Sequence, residues 1–372
     1  MPQRLADLDA NATEPLRPEA RAAAIAALDL AGNPSSVHAE GRAARHLLEG
    51  AREHMAAALG IRPAQVHFTA GGTEANATAI AGLAHGRRVL VSATEHDAVR
   101  RAVADATILP VDGEGRLSLA ALAEALADGA SPALVCLMLA NNETGTIQPI
   151  AEAAALCRRH GALLHVDAVQ GPGRIPLGPA LAVADTMALS AHKAGGAKGA
   201  GALLVLGEAV PAPLVRGGGQ ERGLRGGTEP LPAIAAMAAA IAAAEAWRQT
   251  GGAERLGRLK ARIAAGVAAI PGVTIIAAGA GTLPNTLSLA LTGAAAATQV
   301  MALDLAGIAV SAGAACSSGK VGESHVLAAM GLGPLAGQAI RVSLPWTATE
   351  AEVDAFLAAY AAMAARLARK AA

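Results

Sequence analysis

From Gln65 to Leu206 the chain alternates short apolar runs with longer segments of mixed polarity. The runs are Gln65–Thr69, Arg88–Ser92, Thr107–Val111, Ala133–Leu139, Ala162–Val166, Thr186–Ser190 and Ala202–Leu206. Segments between them, such as Thr73–Gly86 and Ile150–His160, are long enough for helices. That alternation predicts an α/β layer structure with a mainly parallel sheet. One connection differs. Between Ser190 and Ala202 lies only AHKAGGAKGAG, too short for a helical crossover, so the last two strands are predicted to run antiparallel. After Pro232 an alanine-rich helix is expected to reach Trp247 and stop before Gly251 and Gly252. The remainder reads as helix, strand, strand, loop, strand and helix, which suits a smaller second domain.

Composition changes the picture in a few respects. Aromatic residues make up only 1% of the chain, so packing must rest on alanine and small aliphatic side chains. Thirty basic and thirty acidic residues cancel, and a zero balance favours neither a nucleic acid nor an acidic membrane surface as partner. The uncharged, alanine-rich run around Ala233 to Ala244 is short for a bilayer and reads as a packed helix. Asp7, Asp9 and Glu14 near the start argue against a targeting peptide. Cys136, Cys157 and Cys316 have no CxxC spacing, which argues against a disulfide framework or a metal site and fits a reducing cytoplasm.

Five segments carry candidate chemistry. In TAGGTEAN, Thr69 to Asn76, a strand gives way through two glycines to a helix start, which can cradle a phosphate or be an ordinary capped turn. In HVDAVQ, His165 to Gln170, Asp167 falls at the carboxyl edge of a buried strand, where open α/β sheets bind ligands. A carboxylate there needs a cationic partner, either a ligand or a structural arginine. In LSAHKAGGAKGAG, Lys193 follows an apolar strand directly. Partial desolvation would free its amine for a Schiff base, although an exposed loop lysine is the commoner case. Ser190 and His192 flank it and suit phosphate oxygens. The glycine-rich run VRGGGQERGLRGGTEP from Val215 lacks interleaved aromatics, so close approach to a ligand or a neighbouring subunit suits it better than RNA. In SAGAACSSGKVGESH, Cys316 stands among small residues with Lys320 nearby. That setting suits a reactive thiolate, whereas Cys136 and Cys157 read as buried small hydrophobes.

In this order and spacing, the segments closely resemble the cysteine desulfurases of the NifS/IscS-like kind, within the class V aminotransferases. LDANAT near Asp9, NPSSVHAEGR at Asn33–Arg42, ATEHDAV at Ala93–Val99, ANNETGTIQPI at Ala140–Ile150 and SAHK extend the resemblance over nearly the whole chain. It implies a fold type I enzyme: a seven-stranded, mainly parallel sheet with helices on both faces, plus a smaller α+β domain. The implied division is a large cofactor-binding domain over residues 15–250 and a small domain over residues 1–14 and 251–372 that carries the cysteine loop.

By the same resemblance, Lys193 carries pyridoxal 5'-phosphate, Asp167 pairs with its pyridine nitrogen and His96 stacks on its ring. Asn142 and Gln170 hydrogen-bond around the ring, while Gly72, Thr73, Ser190 and His192 form the phosphate cup. Thr228 is the contact from a partner subunit, implying a homodimer. Arg341 grips the carboxylate of the substrate, L-cysteine. Cys316 takes the sulfur as a persulfide, releases alanine and passes the sulfur to an acceptor protein in iron–sulfur cluster assembly or tRNA thiolation. The family reads SIRFSLGR near the C-terminus, where this chain reads AIRVSLPWTAT from Ala339, keeping the first arginine and lacking the second. Two other readings remain open. One is another class V enzyme, an aminotransferase or selenocysteine lyase, which would not need Cys316. The other is an idle scaffold in a sulfur-transfer complex, which would not need Lys193, His96, Asp167 and Cys316 together.

Overall fold

In the computed structural model, which describes residues 4–129, 131–313 and 323–371, the apolar runs form one seven-stranded sheet. Its order from one edge is Val66–Thr69, Gly201–Val205, Thr186–Ser190, Leu163–Asp167, Ala133–Met138, Arg88–Ser92 and Thr107–Leu109. Gly201–Val205 is antiparallel to both neighbours and every other pairing is parallel. The short connection after Ser190 therefore makes the reversal its length requires. The third expected strand is shorter than its apolar run because Pro110 has no N–H to continue the ladder.

Leu90, Leu134, Val135, Leu164, Val166, Met187, Leu189 and Leu204 are fully or almost fully buried between helical layers. Helix Leu231–Gln249 lies against helices Pro18–Leu28 and Ala39–Leu59. It is longer than the uncharged run suggested, and by length and composition alone it could cross a membrane. Ile234, Met237 and Ile241 are fully buried in the protein core, so its apolar character is accounted for by packing.

A second hydrophobic cluster surrounds a four-stranded antiparallel sheet, ordered Ser311–Ala312, Ala339–Ser343, Thr286–Leu291 and Val273–Ile276. Helices Gly252–Ala268 and Glu350–Ala371 pack on each other beside it. The sequence pattern did not reveal helix Ala296–Leu305. Its alanine-rich start counts as apolar on every face and blurs the helical period. Ala6–Asp7 pairs with Ile308–Ala309, and Asp9 bridges to Ser343. The N-terminal segment is thus stitched to this smaller sheet before it runs to the large one.

Candidate active site

The parallel strands of the large sheet end along one edge, and ligands of such sheets bind there. Ser92, Met138, Asp167 and Ser190 are the last residues of their strands. The loops beyond them carry His96, Asn142, Gln170, His192 and Lys193 into one cavity of about 760 Å³. Gly72 and Thr73 enter it from a helix start, Arg341 from the small sheet, and Asn11 and Ala12 from the N-terminal segment.

One end of the cavity suits an anion. Helix Gly72–Leu83 begins with no side chain capping it, so its first N–H groups are available to a ligand. The glycines here are required by contact. A Cβ on Gly72 would lie 2.6 Å from Val169 Cγ2, and one on Gly201 would lie 2.4 Å from the backbone of Gly71. Ser190, His192 and Lys198 extend the rim. Burial, aided by the charges of Lys193 and Lys198, pushes His192 down to about 4, so its ring is neutral at pH 7. Its Nδ1 shares a hydrogen bond with Thr13 Oγ1 at 2.9 Å.

A carboxylate closes another side. Asp167 Oδ2 accepts from Asn76 Nδ2 at 2.8 Å and Oδ1 accepts from Val169 N at 3.0 Å. Burial raises its pKa, and the two hydrogen bonds together with the charges of His96 and Lys193 oppose that rise. Asn76 is itself oriented: its Oδ1 lies 2.9 Å from His165 Nε2, and His165 Nδ1 lies 2.9 Å from Thr186 Oγ1. Burial pushes His165 down to about 3, so it is neutral. In this arrangement His165 Nε2 donates to Asn76, and its Nδ1 accepts from the Thr186 hydroxyl. His96 caps the following turn, its Nδ1 accepting from Ala98 N at 3.1 Å.

Lys193 extends its Nζ to the carbonyls of Asn11 at 2.6 Å and Ala12 at 3.0 Å. Asn11 is the hub that sequence reasoning missed. Its carbonyl also accepts from Gln170 Nε2 at 3.1 Å, and its Nδ2 donates to Asn142 O at 3.0 Å and Thr286 Oγ1 at 2.9 Å. A lone asparagine between alanines carries no local signal, since its partners lie more than a hundred residues away.

Arg341 is nearly fully buried; its Nη2 donates to Asp9 Oδ1 at 2.7 Å and its Nη1 to Asn142 O at 3.2 Å. It both lines the cavity and ties the small sheet to the N-terminal segment. The departure after it has a structural use. Trp346 N donates to Glu14 Oε1 at 2.6 Å and Trp346 Nε1 to Pro15 O at 3.1 Å, and its ring lies 4.8 Å below the Arg17 guanidinium.

Thr228, expected as a contact from a partner subunit, is exposed and does not line this cavity. Its glycine-rich run is anchored by Glu221, which takes two hydrogen bonds of 2.9 Å from the Arg52 guanidinium and one of 2.8 Å from Phe68 N. Glu221 and Arg222 hold positive φ of 48° and 58°. Cys316 and Lys320 lie outside the described residues.

The donor set suits an aromatic aldehyde that bears a phosphate. An amine, a buried carboxylate already hydrogen-bonded on both oxygens, an imidazole and an open helix start face one cavity. These are the groups that pyridoxal phosphate needs for its aldehyde, its ring nitrogen, its ring face and its phosphate.

Comparison with known proteins identifies the family. Residues 7–356 match the aminotransferase class-V family. An IscS-like cysteine desulfurase of Mycobacterium tuberculosis is 39% identical over 99% of this chain and 98% of its own length. A cysteine desulfurase of Cereibacter sphaeroides is 42% identical over 94% of this chain and 93% of its own. A NifS-like protein from Rickettsia africae superposes with a TM-score of 0.88 at 32% identity, over 96% of this chain and 99% of that one. The mostly parallel sheet with its helical layers is the fold type I architecture of these enzymes. The chain belongs to the class V aminotransferase family and, within it, to the cysteine desulfurases.

Proposed function

We propose that this desulfurase binds pyridoxal 5'-phosphate through Lys193, takes L-cysteine at Arg341, and transfers its sulfur through Cys316 to an acceptor protein. The observation that carries this reading is the convergence of Lys193, Asp167, His96, Arg341 and the open start of helix Gly72–Leu83 on one cavity. Bound there, pyridoxal phosphate supplies the electron sink that lets the substrate lose its α-proton. The residues do the rest. Asp167, fed by Asn76 and Val169, keeps a proton on the ring nitrogen. Lys193 and His96 are the bases within reach for moving the substrate proton. Arg341 presents a fork of two N–H groups to a planar carboxylate.

The Cys316 thiolate attacks the sulfur of cysteine. An S–S bond forms as the Cβ–S bond breaks, the released pair takes up a proton at Cβ, and a proton is given back at Cα to yield alanine. The acceptor, an iron–sulfur scaffold or a tRNA-thiolation enzyme, then removes the sulfur. A homodimer accompanies this reading. Thr228 and the neighbouring Leu214 and Val215 are exposed on or beside the glycine-rich run, which suits contact with a second copy.

The test is direct. Purified protein should be yellow, and cysteine should perturb its absorption and release alanine. Lys193→Ala should remove turnover. Cys316→Ala should keep the cysteine-dependent spectral change but form neither alanine nor persulfide. Normal turnover in Lys193→Ala overturns the assignment. Alanine release from Cys316→Ala favours a class V enzyme that needs no loop thiol.

A further inference from the structure

Glu143 is almost completely buried, does not line the cavity, and is used by nothing described so far. It sits in the turn after strand Ala133–Met138, where Asn141 Oδ1 accepts from Glu143 N at 2.8 Å and Thr144 N at 3.0 Å. Asn141 is held in turn, donating through Nδ2 to Thr94 O at 3.0 Å. This carboxyl therefore has a rigid base on the large sheet.

What it reaches lies just after the small-sheet strand Ser311–Ala312 and at the start of helix His325–Ala329. Ser324 Oγ donates to Glu143 Oε2 at 2.6 Å. A Cβ built on Gly313 would lie 2.6 Å from the same oxygen and 3.6 Å from Ser324 Cβ, so only glycine fits there without displacing the carboxyl. Gly313 and Ser324 bound the stretch of sequence that contains Cys316. Chain leaving at one and returning at the other begins and ends against one carboxyl oxygen.

The return side is fastened further. Ser324 is fully buried and caps helix His325–Ala329 by accepting from Leu327 N at 3.1 Å. His325 Nε2 lies 3.1 Å from Glu95 O, beside His96. Burial pushes Glu143 up to about 7, and the Ser324 hydrogen bond and the nearby Arg341 charge oppose that rise. Burying a carboxyl away from water is unfavourable unless it is held by partners. Here the partners are the Ser324 hydroxyl and, through charge, the Arg341 guanidinium of the cavity.

We propose that Glu143 is a positioning residue for sulfur transfer, its carboxyl holding Gly313 and Ser324 in fixed relation to the cavity. The inference rests on the reading of Cys316 as sulfur acceptor. It separates two parts of the machinery: Arg341 and Lys193 serve substrate binding, and Glu143 serves the step in which sulfur leaves the substrate.

The experiment compares Glu143→Ala, Glu143→Gln, Ser324→Ala and the double alanine variant in the cofactor-loaded, full-length enzyme, with Cys316→Ala alongside. A misplacement of about 1 Å can lower a rate by roughly 100-fold. Glu143→Ala and Ser324→Ala should therefore lose about ten- to a hundred-fold in kcat for alanine release, at unchanged KM for cysteine and with an unchanged cysteine-induced absorption change. Glu143→Gln keeps an oxygen that accepts from Ser324 and should recover most of the rate. The double variant should lose no more than the worse single one, because both remove the same contact.

Wild-type kcat in Ser324→Ala, a change confined to KM, or losses that multiply in the double variant would each overturn the proposal. Ser324→Ala decides the matter even if Glu143→Ala fails to fold. Should Cys316→Ala itself release alanine normally, the reading of Cys316 falls first. Should Cys316→Ala be inactive while the Glu143 and Ser324 variants are not, only the present inference falls.

Discussion

Arg341 shows how one side chain is made ready for a planar anion. Its Nη2 and Nη1 are directed by Asp9 Oδ1 and Asn142 O, and its Nε has no partner among the described residues. Breaking a buried charge-assisted contact costs roughly 2–5 kcal/mol, so Arg341→Ala should lower kcat/KM for cysteine tens- to thousands-fold. Arg341→Lys should recover only part, since lysine lacks the fork. Cofactor absorption without cysteine should stay normal, and a cysteine titration of both variants checks this.

Glu143 carries a different expectation. Its carboxyl stands at about 7 in the folded protein against an ordinary 4.5. Between those values the folded state keeps a proton that the unfolded chain releases. Its contribution to stability is therefore complete below about 4.5 and is lost as pH rises through about 7. Glu143→Gln cannot ionise and escapes that loss. Chemical denaturation from about pH 5 to about pH 8 should show wild type losing up to about 3 kcal/mol relative to Glu143→Gln.

At the scale of elements, the turn into helix Gly72–Leu83 is the most tightly specified feature. Gly71 has open space where a Cβ would sit, whereas Gly72 faces Val169 Cγ2 at 2.6 Å. Overpacking of this kind costs about 1–3 kcal/mol. In cofactor-free protein, Gly72→Ala should melt at a clearly lower temperature than Gly71→Ala, as calorimetry of the pair will show.

The same element explains what was legible in the sequence. Gly72, Thr73, Asp167, Gln170, Ser190, His192 and Lys193 all lie within a few residues of an apolar run's end, so strand periodicity and family motifs located them together. Asn11, Asn76, His165 and Glu143 were not assigned roles. Each acts through a partner 89 to 182 residues away, and nothing local marks which polar residue meets which. Alanine concealed helix Ala296–Leu305 for a related reason: it is apolar enough for a core and small enough for either face.

Across the whole molecule, the glycine-rich run is held by charge. Arg52 and Glu221 are both buried and meet through two hydrogen bonds. Removing one partner of such a pair costs about 3–5 kcal/mol. Arg52→Ala should therefore lower the melting temperature, and in sedimentation experiments it should shift the proposed dimer towards monomer at low concentration.

The left-handed backbone at Glu221 and Arg222 has a consequence for assembly. Non-glycine residues adopt that conformation at a cost and persist in it only where the surroundings over-determine them. A run held in this way gives up its conformational freedom when the single chain folds. Two copies meeting there would have little left to order, so association would be limited by encounter and orientation rather than by loop rearrangement.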